Sequence, residues 1–165
     1  MCHLNRTNLP RRSRYSDSFI GGALRPLDKA EQELAVHLRK ATSPEETSPK
    51  QKHVRKCIVY TWDHKSSQSI WSGLRSLPIM NDDIQTFKAL IVVHKILQEG
   101  HPVVLREAQS QMGWLDTCAR MSSTSPRNYS QLIQAYVSFI HAKLRFHRMH
   151  KEVNGLFEYE EYISL

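Results

Sequence analysis

Residues 83–100 read DIQTFKALIVVHKILQEG, and this stretch decides the fold class. From Phe87 to Leu97 the apolar side chains cover nearly the whole circumference of a 3.6-residue helix, leaving Lys88, Lys95 and Glu99 on one narrow wet stripe. Asn81 or Asp82 supplies an N-cap oxygen, and Gly100 closes the far end. A helix apolar nearly all round must be wrapped by others, so the spacing predicts a buried central helix over 83–99. His94 within it reads as a hydrogen-bonded core histidine. The run is too short, and too interrupted by His94 and Lys95, to cross a bilayer, which needs about 18 apolar residues.

Further helical patterns flank it. Residues 28–41 form a first helix, with Asp28 as N-cap and Glu31 as its capping-box partner. Ala30, Leu34, Ala35 and Leu38 make its apolar stripe, and Lys40 falls in its last turn. After a short connection, Ser48-Pro49 reads as N-cap and first helical residue of a second helix over 49–63. Val54, Cys57, Ile58, Thr61 and Trp62 are expected to face inward. A third helix covers 67–76, a fifth runs from His101-Pro102 to 121, and a sixth from Pro126 to 150. Tyr129, Leu132, Ile133, Tyr136, Val137, Ile140 and Leu144 give the sixth a continuous apolar face. A further helix begins at Phe157. Trp62, Trp71 and Trp114 are assigned to the core, and His64 caps the helix or packs near Trp62. No strand pattern or hairpin turn occurs, so the class is all-α, built of successive antiparallel helices.

Composition narrows the function. Apolar residues at 40% and charged residues at 24% suit one globular domain of 165 residues rather than a disordered chain. The three cysteines, Cys2, Cys57 and Cys118, are odd in number and scattered, which argues against a disulfide scaffold or thiolate metal site and fits a reducing cytosol. No signal peptide is legible. His141, His147 and His150 are spaced by six and three, which sets up no shared ligand face, so no metal or other cofactor is expected. HExxH, GxSxG, Walker A and dinucleotide fingerprints do not occur, and no catalytic residue is assigned.

The charge is uneven. The net charge is +7; residues 1–56 hold 12 Lys and Arg against 6 Asp and Glu, whereas residues 57–165 hold 11 against 10. Part of the excess lies in residues 1–27, read as a basic, flexible N-terminal tail. The rest gathers at the second helix. Lys50, Lys52 and His53 occupy its opening turn, followed by Arg55 and Lys56. A helix start carries partial positive charge and free N–H groups, so each cation there costs roughly 0.3–1 kcal/mol at the surface. A bound phosphate would offset that cost. Lys40 can reach the same place across the short connection. A solvated basic face, with Glu45 and Glu46 as counter-charges, is the alternative. Nucleic acid is disfavoured, because no aromatic residues interleave with the cluster.

Lys40, a nine-residue gap, Lys50 and then Lys52-His53 resembles the inositide motif of ANTH domains. The stretches KHVRKCIVYTWDH (52–64), FKALIVVHKILQEGHP (87–102) and FEYEEY (157–162) resemble the End-four and huntingtin-interacting-protein-related, Sla-type branch of endocytic adaptors. The likeness covers residues 28–165 and implies an ANTH domain there, folded as a right-handed superhelical solenoid of the ENTH/ANTH/VHS kind. It implies binding of phosphatidylinositol 4,5-bisphosphate through Lys40, Lys50, Lys52 and His53. It further implies co-assembly with the ENTH domain of epsin, for which Arg55 is the candidate contact. In the full-length adaptors other regions meet clathrin light chain and actin, at endocytic sites and actin cortical patches of the plasma membrane. Two departures stand out: the tail is longer and richer in arginine than the family pattern, and later helices of an ANTH domain are expected beyond residue 165. A VHS-like module binding cargo peptides is the alternative function.

Overall fold

The structure is a computed structural model that describes residues 25–122 and 128–159. Among these, seven α-helices follow one another: α1 (Lys29–Ala41), α2 (Gln51–His64), α3 (Gln68–Ser76), α4 (Asp83–Glu99), α5 (Val103–Glu107), α6 (Met112–Ser122) and α7 (Ser130–Met149). Short 3-10 turns lie at Ile79–Asn81 and Ala108–Gln111. The β pairing among the described residues is a single bridge between Val153 and Tyr159. The class is all-α, and the helices stack as a solenoid.

Local chemistry explains the starts. Asp28 accepts from Glu31 N at 2.8 Å while Glu31 Oε2 accepts from Asp28 N at 3.1 Å, the reciprocal box expected at α1. Asp82, rather than Asn81, caps α4 by accepting from Gln85 N at 3.0 Å. The central position of α4 is confirmed: it packs against α1, α2, α5, α6 and α7. Ala89, Leu90, Val92, Val93, Ile96 and Leu97 are buried within it. Burying each larger aliphatic side chain contributes about 1.5–3 kcal/mol, so α4 organises the core.

Several expectations are corrected. Lys88 does not lie on a wet stripe; it is 3% exposed and turned toward the α1–α2 connection. Lys95 and Glu99 do face water, 3.5 Å apart. Trp62 is 51% exposed, whereas Thr61, one residue and about 100° round the helix, is fully buried. The indole N–H explains this: it needs an acceptor, and it donates to Glu99 O at 2.9 Å at the open end of α4. Trp71 and Trp114 are buried as expected, edge to face at 5.7 Å. His64 caps the end of α2, its Nδ1 3.1 Å from Tyr60 O, and its ring stacks on Tyr60 at 3.9 Å. His94 meets its expectation, sharing a 2.8 Å hydrogen bond with the Tyr136 hydroxyl.

Boundaries shift as well. The second helix begins at Gln51 with Lys50 in the cap position, two residues later than the proline suggested. The expected helix over 102–121 is tightened to 3-10 geometry at Ala108–Gln111. There Ser110 Oγ donates to Glu107 O, and Gln109 Nε2 reaches both Leu105 O and Leu144 O, side-chain bonds that compete with the α-helical ladder. On α7, Ile133, Val137, Ile140 and Leu144 are buried, but Leu132 is 47% exposed. That helix starts at Ser130, and Pro126 lies outside the described residues. Residues 157–159 are not helical, with Phe157 at φ 65°, and the rest of the helix expected from Phe157, residues 160–165, lies outside the described residues. Residues 150–159 instead fold back as a loop: Asn154 Oδ1 accepts from the Leu156 and Glu158 amides, and Lys143 Nζ donates to Gly155 O at 2.5 Å. Of the expected tail, only Arg25, Pro26 and Leu27 are described; Arg25 pairs with Glu31 at 2.8 Å.

Candidate anion site at the start of the second helix

The site is assembled by the antiparallel pair α1 and α2. Their connection is short, so the last turn of α1 and the first turn of α2 meet at one end. Lys40 comes from the first, Lys50 and Lys52 from the second, and all three are exposed. Lys50 takes extended angles (φ −64°, ψ 118°) and its carbonyl accepts from His53 N at 2.9 Å. The helix start has no side-chain cap and no acidic residue in its first turn. The Gln51 and Lys52 amides therefore point out of the helix with no backbone acceptor among the described residues.

His53 behaves differently from the lysines. It is 6% exposed, and its Nδ1 lies 2.9 Å from Nδ1 of His37 on α1. One ring must donate and the other accept, so the pair is stable when neutral. Burial pushes the pKa of His53 down, and His37, Lys52, Lys40 and Lys50 push it further. Burial also lowers His37, followed by Lys56 and Lys40, with Glu33 opposing. Between them Lys40, Lys50, Lys52 and Lys56 act on this histidine pair, in which His53 is buried and His37 half-buried. Lys56 extends the expected set; its signal was its position one turn beyond Lys52. His37 carried no such signal, since only the helix pairing brings it to His53. Arg55 is exposed on α2 and makes no ion pair among the described residues.

The connection carrying Lys50 is held from beneath. Lys88 Nζ donates to Ser43 Oγ at 2.9 Å and to Glu45 O at 3.2 Å. Burial lowers its pKa; Glu45 opposes and Lys50 adds to the shift. Gln85 Nε2 donates to Thr42 O at 2.9 Å, and Thr42 Oγ1 to Leu38 O at 2.9 Å. Glu46 accepts the Tyr129 hydroxyl. Of the two candidate counter-charges, the Glu46 carboxylate is therefore taken up by Tyr129, whereas Glu45 meets Lys88 through its backbone carbonyl. No salt bridge among the described residues joins either to Lys40, Lys50 or Lys52. What remains is a cationic, amide-lined opening suited to a multiply charged phosphate.

Elsewhere, among the described residues, no group of three or more His, Cys, Asp or Glu is placed to hold a metal ion. No described helix is long and apolar enough to cross a membrane. Burial raises the pKa of the Cys57 and Cys118 thiols to about 12, which leaves them unreactive.

Comparison with known proteins follows the same lines. The family described as the ANTH domain matches residues 33–165. The endocytosis protein end4 of Schizosaccharomyces pombe is 51% identical over 134 residues, a match covering 80% of this chain but only 12% of that protein. A solved structure of the ENTH domain from epsin-2 in complex with phosphatidylinositol 4,5-bisphosphate superposes with a TM-score of 0.78 at 63% identity, covering 84% of this chain and 55% of that one. A cryo-EM structure of helical ANTH and ENTH tubules on membranes containing the same lipid superposes at 0.64 with 51% identity, covering 81% and 50%.

Proposed function

We propose, from the premise that this chain belongs to the ANTH domain family, that it recruits an endocytic adaptor to the plasma membrane by gripping phosphatidylinositol 4,5-bisphosphate. Lys40, Lys50 and Lys52 are the direct headgroup ligands, with Lys56 beside them. His53 forms the wall: with Nδ1 shared with His37, its other ring nitrogen is the one left for a phosphate. The observation that carries this reading is the uncapped, acid-free start of α2, flanked by Lys40, Lys50 and Lys52, which make no ion pair among the described residues. Each cation near an anionic leaflet contributes about 1 kcal/mol, so four suffice for reversible recruitment. The role is adhesive rather than enzymatic.

The finer partners rest on the relatives. Co-assembly with an ENTH domain of epsin, with Arg55 as the contact, is supported by the likeness to the ANTH and ENTH tubules. Coupling to clathrin light chain and actin at cortical patches would belong to other regions of a full-length adaptor, of which this chain spans about an eighth.

Sedimentation with vesicles tests the reading. The chain should pellet with vesicles containing phosphatidylinositol 4,5-bisphosphate and not with vesicles of phosphatidylcholine alone, and the double substitution Lys50→Ala, Lys52→Ala should abolish pelleting without lowering the melting temperature. Retained binding by a folded double variant rejects the site. A VHS-like peptide-binding module would instead be indifferent to the lipid.

A further inference from the structure

The opposite end of α2 bears a second concavity. A groove of about 780 Å³ lies between the last turn of α2, the C-terminal end of α4, α5, the end of α7 and the 151–156 loop. Trp62 forms one wall. Its N–H is tied to Glu99 O at 2.9 Å and its ring meets His101 edge-on at 5.2 Å, so the half-exposed indole is held in place. His147 also lines the groove, 5% exposed, and neither ring nitrogen makes a well-formed hydrogen bond among the described residues, although the Val153 backbone lies close.

The rim is cationic. Arg106, Arg148 and Lys151 border the groove, and Arg106 and Lys65 border an adjoining hollow of about 400 Å³. None of these four cations makes an ion pair among the described residues. The two carboxylates on the same rim are already engaged: Glu99 with Lys95 at 3.5 Å and Glu152 with His150 at 3.3 Å. The groove therefore offers a fixed aromatic wall, a buried imidazole and several cations that make no ion pair among the described residues, spread along its length.

That spread decides the ligand class. A single phosphate calls for donors converging on one point, as at the start of α2. Dispersed cations beside an apolar wall suit separate carboxylates flanking an apolar side chain. Position separates it from the first site: α2 has 14 residues, about 20 Å at 1.5 Å per residue, so the groove and the Lys50 cluster lie at opposite ends of the helix, about two Debye lengths apart.

We propose that this groove binds an acidic peptide segment, which lays an apolar or aromatic side chain on Trp62 and directs carboxylates to Arg106 and Arg148. The site is independent of the headgroup site, and both can be occupied together.

The test uses a fluorescein-labelled peptide, Gly-Ser-Glu-Glu-Phe-Glu-Glu-Ser-Gly, in anisotropy titrations at low salt, with versions carrying lysine for glutamate or serine for phenylalanine. The acidic phenylalanine peptide should bind saturably, and each altered peptide should bind at least about tenfold more weakly, about 1.4 kcal/mol. In NMR spectra the indole N–H signal of Trp62 should move while those of the buried Trp71 and Trp114 stay. Arg106→Glu with Arg148→Glu should weaken peptide binding at least about tenfold with melting and vesicle binding unchanged. The proposal is overturned if the peptide fails to saturate by about 1 mM, or if it binds the charge-reversed variant equally well. It is also overturned if that variant, still folded, loses vesicle binding, which would assign the cations to the membrane. A dimer abolished by Trp62→Ala would assign the groove to a second copy and overturn it equally.

Discussion

Lys88 shows what one residue contributes. Its amine is carried inside an otherwise apolar helix because two oxygens of the α1–α2 connection await it. Lys88→Met keeps the apolar stem but leaves Ser43 and the Glu45 carbonyl short of a donor, a loss of about 1–3 kcal/mol. Urea unfolding should show that loss, and hydrogen exchange should quicken across residues 43–50; unchanged stability would show that the bonds do not hold the connection. His94 makes a pH prediction. Burial first, then Lys143 and Lys95, push its pKa down to about 4. An unfolded histidine titrates near 6.5, so between about pH 6.5 and 4 the unfolded chain takes up a proton that the fold refuses. Stability is then complete above that window and is lost as pH falls through it. His37, His53 and His147, also lowered, act in the same direction. The melting temperature should fall between pH 7.5 and 5, and His94→Gln, which can keep a bond to Tyr136, should flatten the decline. A melting temperature that rises on acidification contradicts this assignment.

At the scale of the element, α2 starts with cations and without a side-chain cap or an acidic residue, and the proposed anion site accounts for that cost. Gln51→Glu separates the two quantities. A carboxylate in the first turn should stabilise the helix by roughly 0.3–1 kcal/mol through the dipole and the neighbouring lysines. The same charge should repel phosphates and weaken vesicle binding severalfold. Higher stability with lower affinity is the expected pair, read from a melt and a sedimentation titration on one sample. If both rise together, the start of α2 is not where the anion sits. The sequence made this element legible because cations at a helix start are unusual. It misplaced the first residue, because Ser48-Pro49 satisfies the statistical signature of a start while the backbone turns into the helix only at Lys50.

Across the whole molecule, the 150–159 loop closes one flank of the stack. A Cβ on Gly155 would stand 2.0 Å from Leu97 O and 2.7 Å from Gln98 O, both backbone atoms that cannot give way. Lys143 meanwhile holds the Gly155 carbonyl and lies 3.8 Å from the Phe157 ring centroid. Gly155→Ala should therefore undock the loop, costing about 1–3 kcal/mol, the range for overpacking. Limited proteolysis should then cut within 150–159 while α1 and α2 remain intact. Resistance equal to that of the parent would mean the loop tolerates displacement.

Periodicity and charge, read along the chain, were enough for the helical class, the central helix, two of the caps and the lysine cluster, since each depends on neighbours within a turn or two. The fate of individual polar groups was not contained in that local pattern. Lys88 turned inward, Trp62 outward, and His53 toward His37, because burial of a polar atom is decided by whether a partner from a distant segment stands within hydrogen-bond reach. Only the packed helices determine that, and they alone place the groove beside Trp62.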